Sequence, residues 1–81
     1  MWYVYVLKSA VDKKLYIGAT DDISRCLNEH NSGNIEATRD RTPLILEAYI
    51  ALKNKSKAFN LEQYFKSSSG KAILNNRILQ H

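Results

Sequence analysis

Two runs dense in aromatic and β-branched residues, Trp2 to Lys8 and Leu15 to Thr20, stand a short polar break apart at the start of the chain. Each reads as a strand, and the turn-like Ser9 to Lys13 between them makes the pair a β-hairpin. The rest of the 81 residues has to cover that hairpin. A break at Thr20-Asp21-Asp22 supplies side chains that cap a helix and sets two acids in its first turn, where the macrodipole favours them. Ile23, Cys26, Leu27 and His30 then share one helical face. Gly33 suits the stop just past that helix.

Asn34 to Thr42 reads as a polar loop carrying Arg39 and Arg41 and closed by Pro43. A third strand follows from Leu44 to Leu52, with Leu44, Leu46, Ala48 and Ile50 expected on one face. Asn54 or Ser56 starts a second helix that runs to about Lys66, its face holding Ala58, Leu61, Glu62 and Phe65. Ser67-Ser68-Ser69-Gly70 reads as a connector, and a last short helix is expected over about Lys71 to Leu79. The predicted fold is α+β, a small three-stranded antiparallel sheet flanked by helices in the order β-β-α-β-α-α, forming a single domain over residues 1–81.

A chain of this length buries only about 60% of its unfolded surface, so modest stability is expected. One cysteine, Cys26, excludes an internal disulfide and a cysteine-based zinc site, and points to a reducing, cytoplasmic setting. No apolar run approaches the ~20 residues that span a bilayer. The apolar start, MWYVYVLK, lacks a basic leader and a small-residue cleavage site, and is not read as a signal peptide. The net charge of +4 favours polyanions such as nucleic acid, although many small basic domains bind none.

Three features do not belong to a plain core. Glu62 lies on the apolar stripe of its helix, beside Leu61 and near Phe65. A carboxylate there must be paired, bound to a cation or at the rim of a cleft. His30 ends the apolar stripe of the first helix, as a hydrogen-bonded core histidine or as a proton acceptor. Tyr3 and Tyr5 share one sheet face, and Tyr16 lies on the adjacent strand. They are either aromatic sheet packing or phenols lining a cleft.

Tyr3-Val4-Tyr5, Tyr16-Ile17-Gly18 and the helix end His30-Asn31-Ser32-Gly33 together resemble the signature of GIY-YIG nucleases. Tyr3 stands where the family's first glycine would be; the second triplet matches in full. Arg41-Thr42-Pro43-Leu44 resembles the family's loop into its third strand, and Ala58 to Lys66 its helix with a metal-binding glutamate. The resemblance covers nearly the whole chain. It is nearest to short stand-alone members related to the N-terminal domain of the excinuclease C subunit of DNA repair.

The resemblance implies an endonuclease that hydrolyses DNA phosphodiesters with one divalent ion, Mg²⁺ or Mn²⁺. Glu62 would hold that ion, since magnesium takes few carboxylates, several waters and the substrate phosphate. Tyr5 and Tyr16 would hold or activate the attacking water, and His30 would accept its proton. Asn75 or Asn76 lies near the family's asparagine. The family's arginine falls at Cys26, four residues before His30. Arg25 is adjacent, but one residue is about 100° of helix rotation, so it points off that face unless the helix start shifts. A thiol has no cationic fork with which to meet a phosphate. Arg39 and Arg41 are candidates for DNA phosphates. A catalytically impaired nucleic-acid-binding protein, or a basic protein-interaction module, is the alternative reading. A domain with no accessory module reads DNA weakly or relies on a protein partner for targeting.

Overall fold

The computed structural model describes residues 1–79. Strand β1 (Trp2–Ser9) is central in a three-stranded antiparallel sheet, with β2 (Leu15–Thr20) on one side and β3 (Leu44–Leu52) on the other. Helix α1 (Ile23–Asn31) follows β2, and a 3₁₀ helix, Glu36–Arg41, leads into β3. Helices α2 (Lys55–Lys66) and α3 (Ser68–Ile73) and a π-helical turn, Leu74–Ile78, are the last elements of the described residues. The α+β class and the β-β-α-β-α-α order are those expected from the sequence.

Alternation along β1 builds two cores. Val4 and Val6 face one side, where they pack with Ile17, Ala58, Phe65 and Leu74. Tyr5 and Leu7 face the other, where they pack with Leu44, Leu46, Tyr16, Cys26 and Leu27. Burying an aliphatic or phenylalanine side chain is worth roughly 1.5–3 kcal/mol each. The α2 side is therefore the hydrophobic anchor of the fold.

The expected common face for Leu44, Leu46, Ala48 and Ile50 is corrected by a β-bulge. Val6 pairs with Ala48, but Leu7 pairs with Leu46, so Glu47 is the extra residue. The insertion flips the alternation. Leu44 and Leu46 consequently join Tyr5 and Leu7, while Ile50 and Leu52 pack against the Val4 and Val6 side.

The helix signals act at their expected places, with shifts. Asp22 is the N-cap of α1, its Oδ1 accepting from the Arg25 amide at 3.0 Å. Both acids therefore stand just before the first turn, not within it. Gly33 adopts φ +81° just past the helix, where a side chain would be strained. Asn54 caps α2, accepting from the Lys57 amide at 2.8 Å. The polar loop expected over Asn34 to Thr42 is largely the 3₁₀ helix, with Thr38 fully buried.

The serine-glycine run is not a loose connector. Ser67 caps α3 by accepting from the Gly70 amide at 3.1 Å, and its hydroxyl donates to the Tyr64 carbonyl at 2.5 Å. A Cβ at Gly70 would collide with that same carbonyl, so glycine lets α3 fold tightly back on the end of α2. The last helix accordingly starts at Ser68, earlier than expected.

Candidate active site

The β1–β2 register sets the floor of the site. Tyr5 lies opposite Gly18, and Tyr16 opposite Leu7, all on the α1 side of the sheet. The Tyr5 ring lies across Gly18 so closely that a Cβ there would strike the phenol hydroxyl. The glycine of Tyr16-Ile17-Gly18 is thus the space into which Tyr5 folds. Tyr5 is 6% exposed, whereas Tyr16 is half-buried and reaches the surface.

Helix α1 lays its expected face over this floor. His30 is 2% exposed, and its Nε2 is 3.1 Å from the Tyr5 hydroxyl. Its Nδ1 is 2.7 Å from Thr38 Oγ1 on the 3₁₀ helix. The His30 ring also meets Tyr16 edge-on, with centroids 5.1 Å apart. Tyr5 and Tyr16 are 6.5 Å apart by the same measure. Cys26 packs against the cluster of Tyr5, Leu7 and Leu44.

Burial dominates the electrostatics. It pushes the Tyr5 phenol well above its ordinary range, and neighbouring Cys26, Tyr16 and Glu62 push the same way. It also raises the Cys26 thiol, with the Glu29 charge adding to the effect. His30 is pulled below its usual 6.5 by the same desolvation. The phenol, thiol and imidazole are all held neutral. A neutral imidazole with Nδ1–H donating to Thr38 has a free lone pair at Nε2 for the Tyr5 proton. The three groups then form a chain, Tyr5 to His30 to Thr38.

Glu62 approaches from the other side of the sheet, on α2. Its side chain is 13% exposed, and its Oε2 is bonded to Lys66 Nζ at 2.8 Å. Its charge is the weakest of the influences that raise the Tyr5 phenol. Among the described residues no group of three or more His, Cys, Asp or Glu gathers. The donor set therefore suits a hard ion that takes one carboxylate and keeps its waters, as Mg²⁺ does, and does not suit a zinc centre. Asn75 lines a groove of about 660 Å³ that also holds Tyr16, Lys13, Lys14, Lys66 and Lys71. That groove separates Asn75 from its neighbour Asn76, which is exposed and does not line it.

Two candidates lie elsewhere. Arg25 is turned outward, bonded to Asp21 at 2.7 Å and 3.7 Å from Glu29, so it does not join the Tyr5–His30 cluster. The helix begins at Ile23 and no shift of register brings Arg25 round. Arg41 is half-buried and bonded to Asp12 at 3.0 Å, and its backbone carbonyl accepts from Ser9 at 2.6 Å. It fastens the hairpin turn to the 3₁₀ helix instead of lying in an open loop. Arg39 remains exposed.

Thr38 and the lysines of the groove escaped the sequence reading. Thr38 sits in a polar stretch with no apolar periodicity, so nothing marks it as buried. Lys66 carried a readable sign, since it stands four residues after Glu62 on one helix.

A family model for the GIY-YIG catalytic domain matches residues 1–78. The chain belongs to the GIY-YIG family. It is 40% identical to a UPF0213 protein of Streptococcus agalactiae over 73 residues, 89% of this chain and 82% of that one. It is 38% identical to a UPF0213 protein of Vibrio campbellii over 66 residues, covering 80% of this chain and 62% of the longer Vibrio protein. The solution NMR structure of a UPF0213 protein from Bacillus halodurans is similar at 36% identity and a TM-score of 0.55, covering 91% of this chain and 82% of that one. GIY-YIG membership places the chain in a nuclease family, and the names of its UPF0213 relatives assign no substrate or metal. No helix of the described residues is long and apolar enough to cross a membrane.

Proposed function

We propose that this GIY-YIG chain is a divalent-metal-dependent endonuclease that hydrolyses DNA phosphodiesters, slowed by Cys26. The observation that carries the reading is the meeting of two groups from opposite sides of the sheet. Tyr5, Tyr16 and His30 gather on the α1 side, and α2 adds a largely buried carboxylate, Glu62, whose charge adds weakly to the rise of the Tyr5 phenol. A plain core has no use for that combination.

The residues divide the work by exposure. Tyr16 reaches the groove, so its hydroxyl is the phenol that holds the attacking water. Tyr5 is buried and bonded to His30, which orders that phenol and gives the departing proton a neutral imidazole to reach. Thr38 holds the imidazole in place from behind. Glu62 would hold Mg²⁺ or Mn²⁺, which when bound neutralises charge developing on the phosphate oxygens. Asn75 lies in the groove on the substrate's path. The free Cys26 thiol fits a cytoplasmic setting.

Cleavage of single-stranded, duplex and branched DNA with Mg²⁺ or Mn²⁺ tests the reading directly. Glu62→Gln should abolish cleavage and weaken metal binding while leaving the fold intact, because the amide keeps the shape and removes the charge. Wild-type protein inert on every substrate and with both metals would overturn it. A second reading, a nucleic-acid-binding protein with little catalysis, is favoured by one observation: neither Arg25 nor Cys26 presents a guanidinium to the tyrosines.

A further inference from the structure

The α1 side of the site is uncharged. Tyr5, Cys26 and His30 are all held neutral, and Arg25 is spent on Asp21 and Glu29 at the outer surface. Arg41 is likewise engaged with Asp12. A phosphodiester entering here carries negative charge that grows in the transition state, and no cation meets it from α1. The groove next to Tyr16 has the opposite character. Lys13 and Lys14 border it from the hairpin turn, and Lys66 and Lys71 from α2 and α3. Lys13 has φ +63°, a backbone conformation that is unfavourable for a residue with a side chain. Four of the chain's 12 Lys and Arg residues thus rim one groove, which Tyr16 also lines.

We infer that Lys66 supplies the phosphate-binding cation of this site, from α2 instead of α1, and that Lys13, Lys14 and Lys71 guide the DNA strand to it. This rests on the nuclease reading and names the residue that compensates for Cys26. Lys66 is the lysine of the groove bonded to Glu62, so its ammonium is held at the carboxylate assigned to the metal. It is 45% exposed against 13% for Glu62, which leaves its donors open toward the groove. Its three donors can bond the carboxylate and a phosphate oxygen together. In the free protein Lys66 also neutralises Glu62, and so competes with a metal ion for that carboxylate.

A plain i,i+4 helix pair would have the same bond and contribute little. Lys66→Met separates the two roles, with Lys57→Met on the exposed face of α2 as control. Binding of a fluorescent single-stranded DNA oligonucleotide is measured with EDTA present, across a salt series. Mn²⁺ binding to the DNA-free protein is measured by electron paramagnetic resonance. Lys66→Met should weaken DNA binding at least about fivefold and lower the salt slope by about one, the loss of a single phosphate contact. It should also tighten Mn²⁺ binding several-fold, which loss of a merely structural pair would not do. Lys57→Met should change neither. Unchanged DNA affinity and salt slope in Lys66→Met would overturn the inference, as would equal losses in Lys57→Met or wild-type protein that binds no DNA. DNA binding that depends on Lys66 without any cleavage would sink the nuclease reading and leave the phosphate contact standing.

Discussion

The two sides of the sheet are made from the same strand and do opposite work. On the α2 side, β1 presents Val4 and Val6 to Ala58, Phe65 and Leu74, an aliphatic and aromatic core without polar groups. On the α1 side, it presents Tyr5 and Leu7 to Cys26 and His30, and the core there carries a hydroxyl, a thiol and an imidazole. Apolar burial is non-directional and stabilising, while buried polar groups must each find a partner. The α1 side meets that demand with the bonds of His30 to Tyr5 and Thr38, and gains orientation more than stability. Glu62 is the exception that ties the two sides together, a carboxylate on the α2 helix whose charge is felt by the α1-side phenol.

The largest test of this division is Phe65→Ala. Phe65 is 3% exposed in the apolar core, and its truncation should cost about 3–5 kcal/mol in urea or guanidinium unfolding. For a small domain that is a large part of the total. Tyr5→Phe should cost less, about 1–3 kcal/mol, the penalty of leaving the buried His30 Nε2 without a partner. Equal losses would mean that the two sides share the burden of stability and that the contrast is false.

Cys26→Arg sharpens the contrast from the other side. It would place a guanidinium on the uncharged α1 face, beside Tyr5, and should raise cleavage at least roughly tenfold, about 1.4 kcal/mol of barrier. If Lys66 already meets the phosphate, the penalty of Lys66→Met should shrink in the Cys26→Arg background, because the two cations serve one substrate group. Strictly additive effects in kcat would place them on different groups.

The smallest effect is on the pH dependence of stability. Burial holds His30 below its ordinary 6.5 in the folded protein, so the unfolded chain binds more protons through that range. Stability contributed by the neutral ring is complete above pH 6.5 and declines as pH falls from there through the folded value. The slope is at most about 1.4 kcal/mol per pH unit for one proton. His30→Gln should flatten the difference between pH 8 and pH 5 in denaturation midpoints. An unchanged profile would mean that the ring is not desolvated as the α1 side requires.

The sequence by itself determined the elements and the central residues of the site. Strand alternation put Tyr3 and Tyr5 on one face, helical spacing put Cys26 and His30 on another, and Asp22, Gly33 and Asn54 marked the helix ends; these are local rules that read through neighbouring residues. Arg25's outward direction was legible for the same reason, since helix rotation is a local property. What only the tertiary structure decided is non-local. The bulge at Glu47 divided Leu44 and Leu46 from Ile50, because register depends on a partner strand far along the chain. Thr38 became the partner of His30 because the 3₁₀ helix folds back under α1. Arg41 left the solvent for Asp12, an ion pair across 29 residues of sequence. Gly70 closed α3 onto the Tyr64 carbonyl where a serine-rich run suggested slack. Lysines from the hairpin turn, α2 and α3 met beside Tyr16 for the same physical reason: side-chain spacing is set locally, but which surfaces face each other is set by packing the two cores against one sheet.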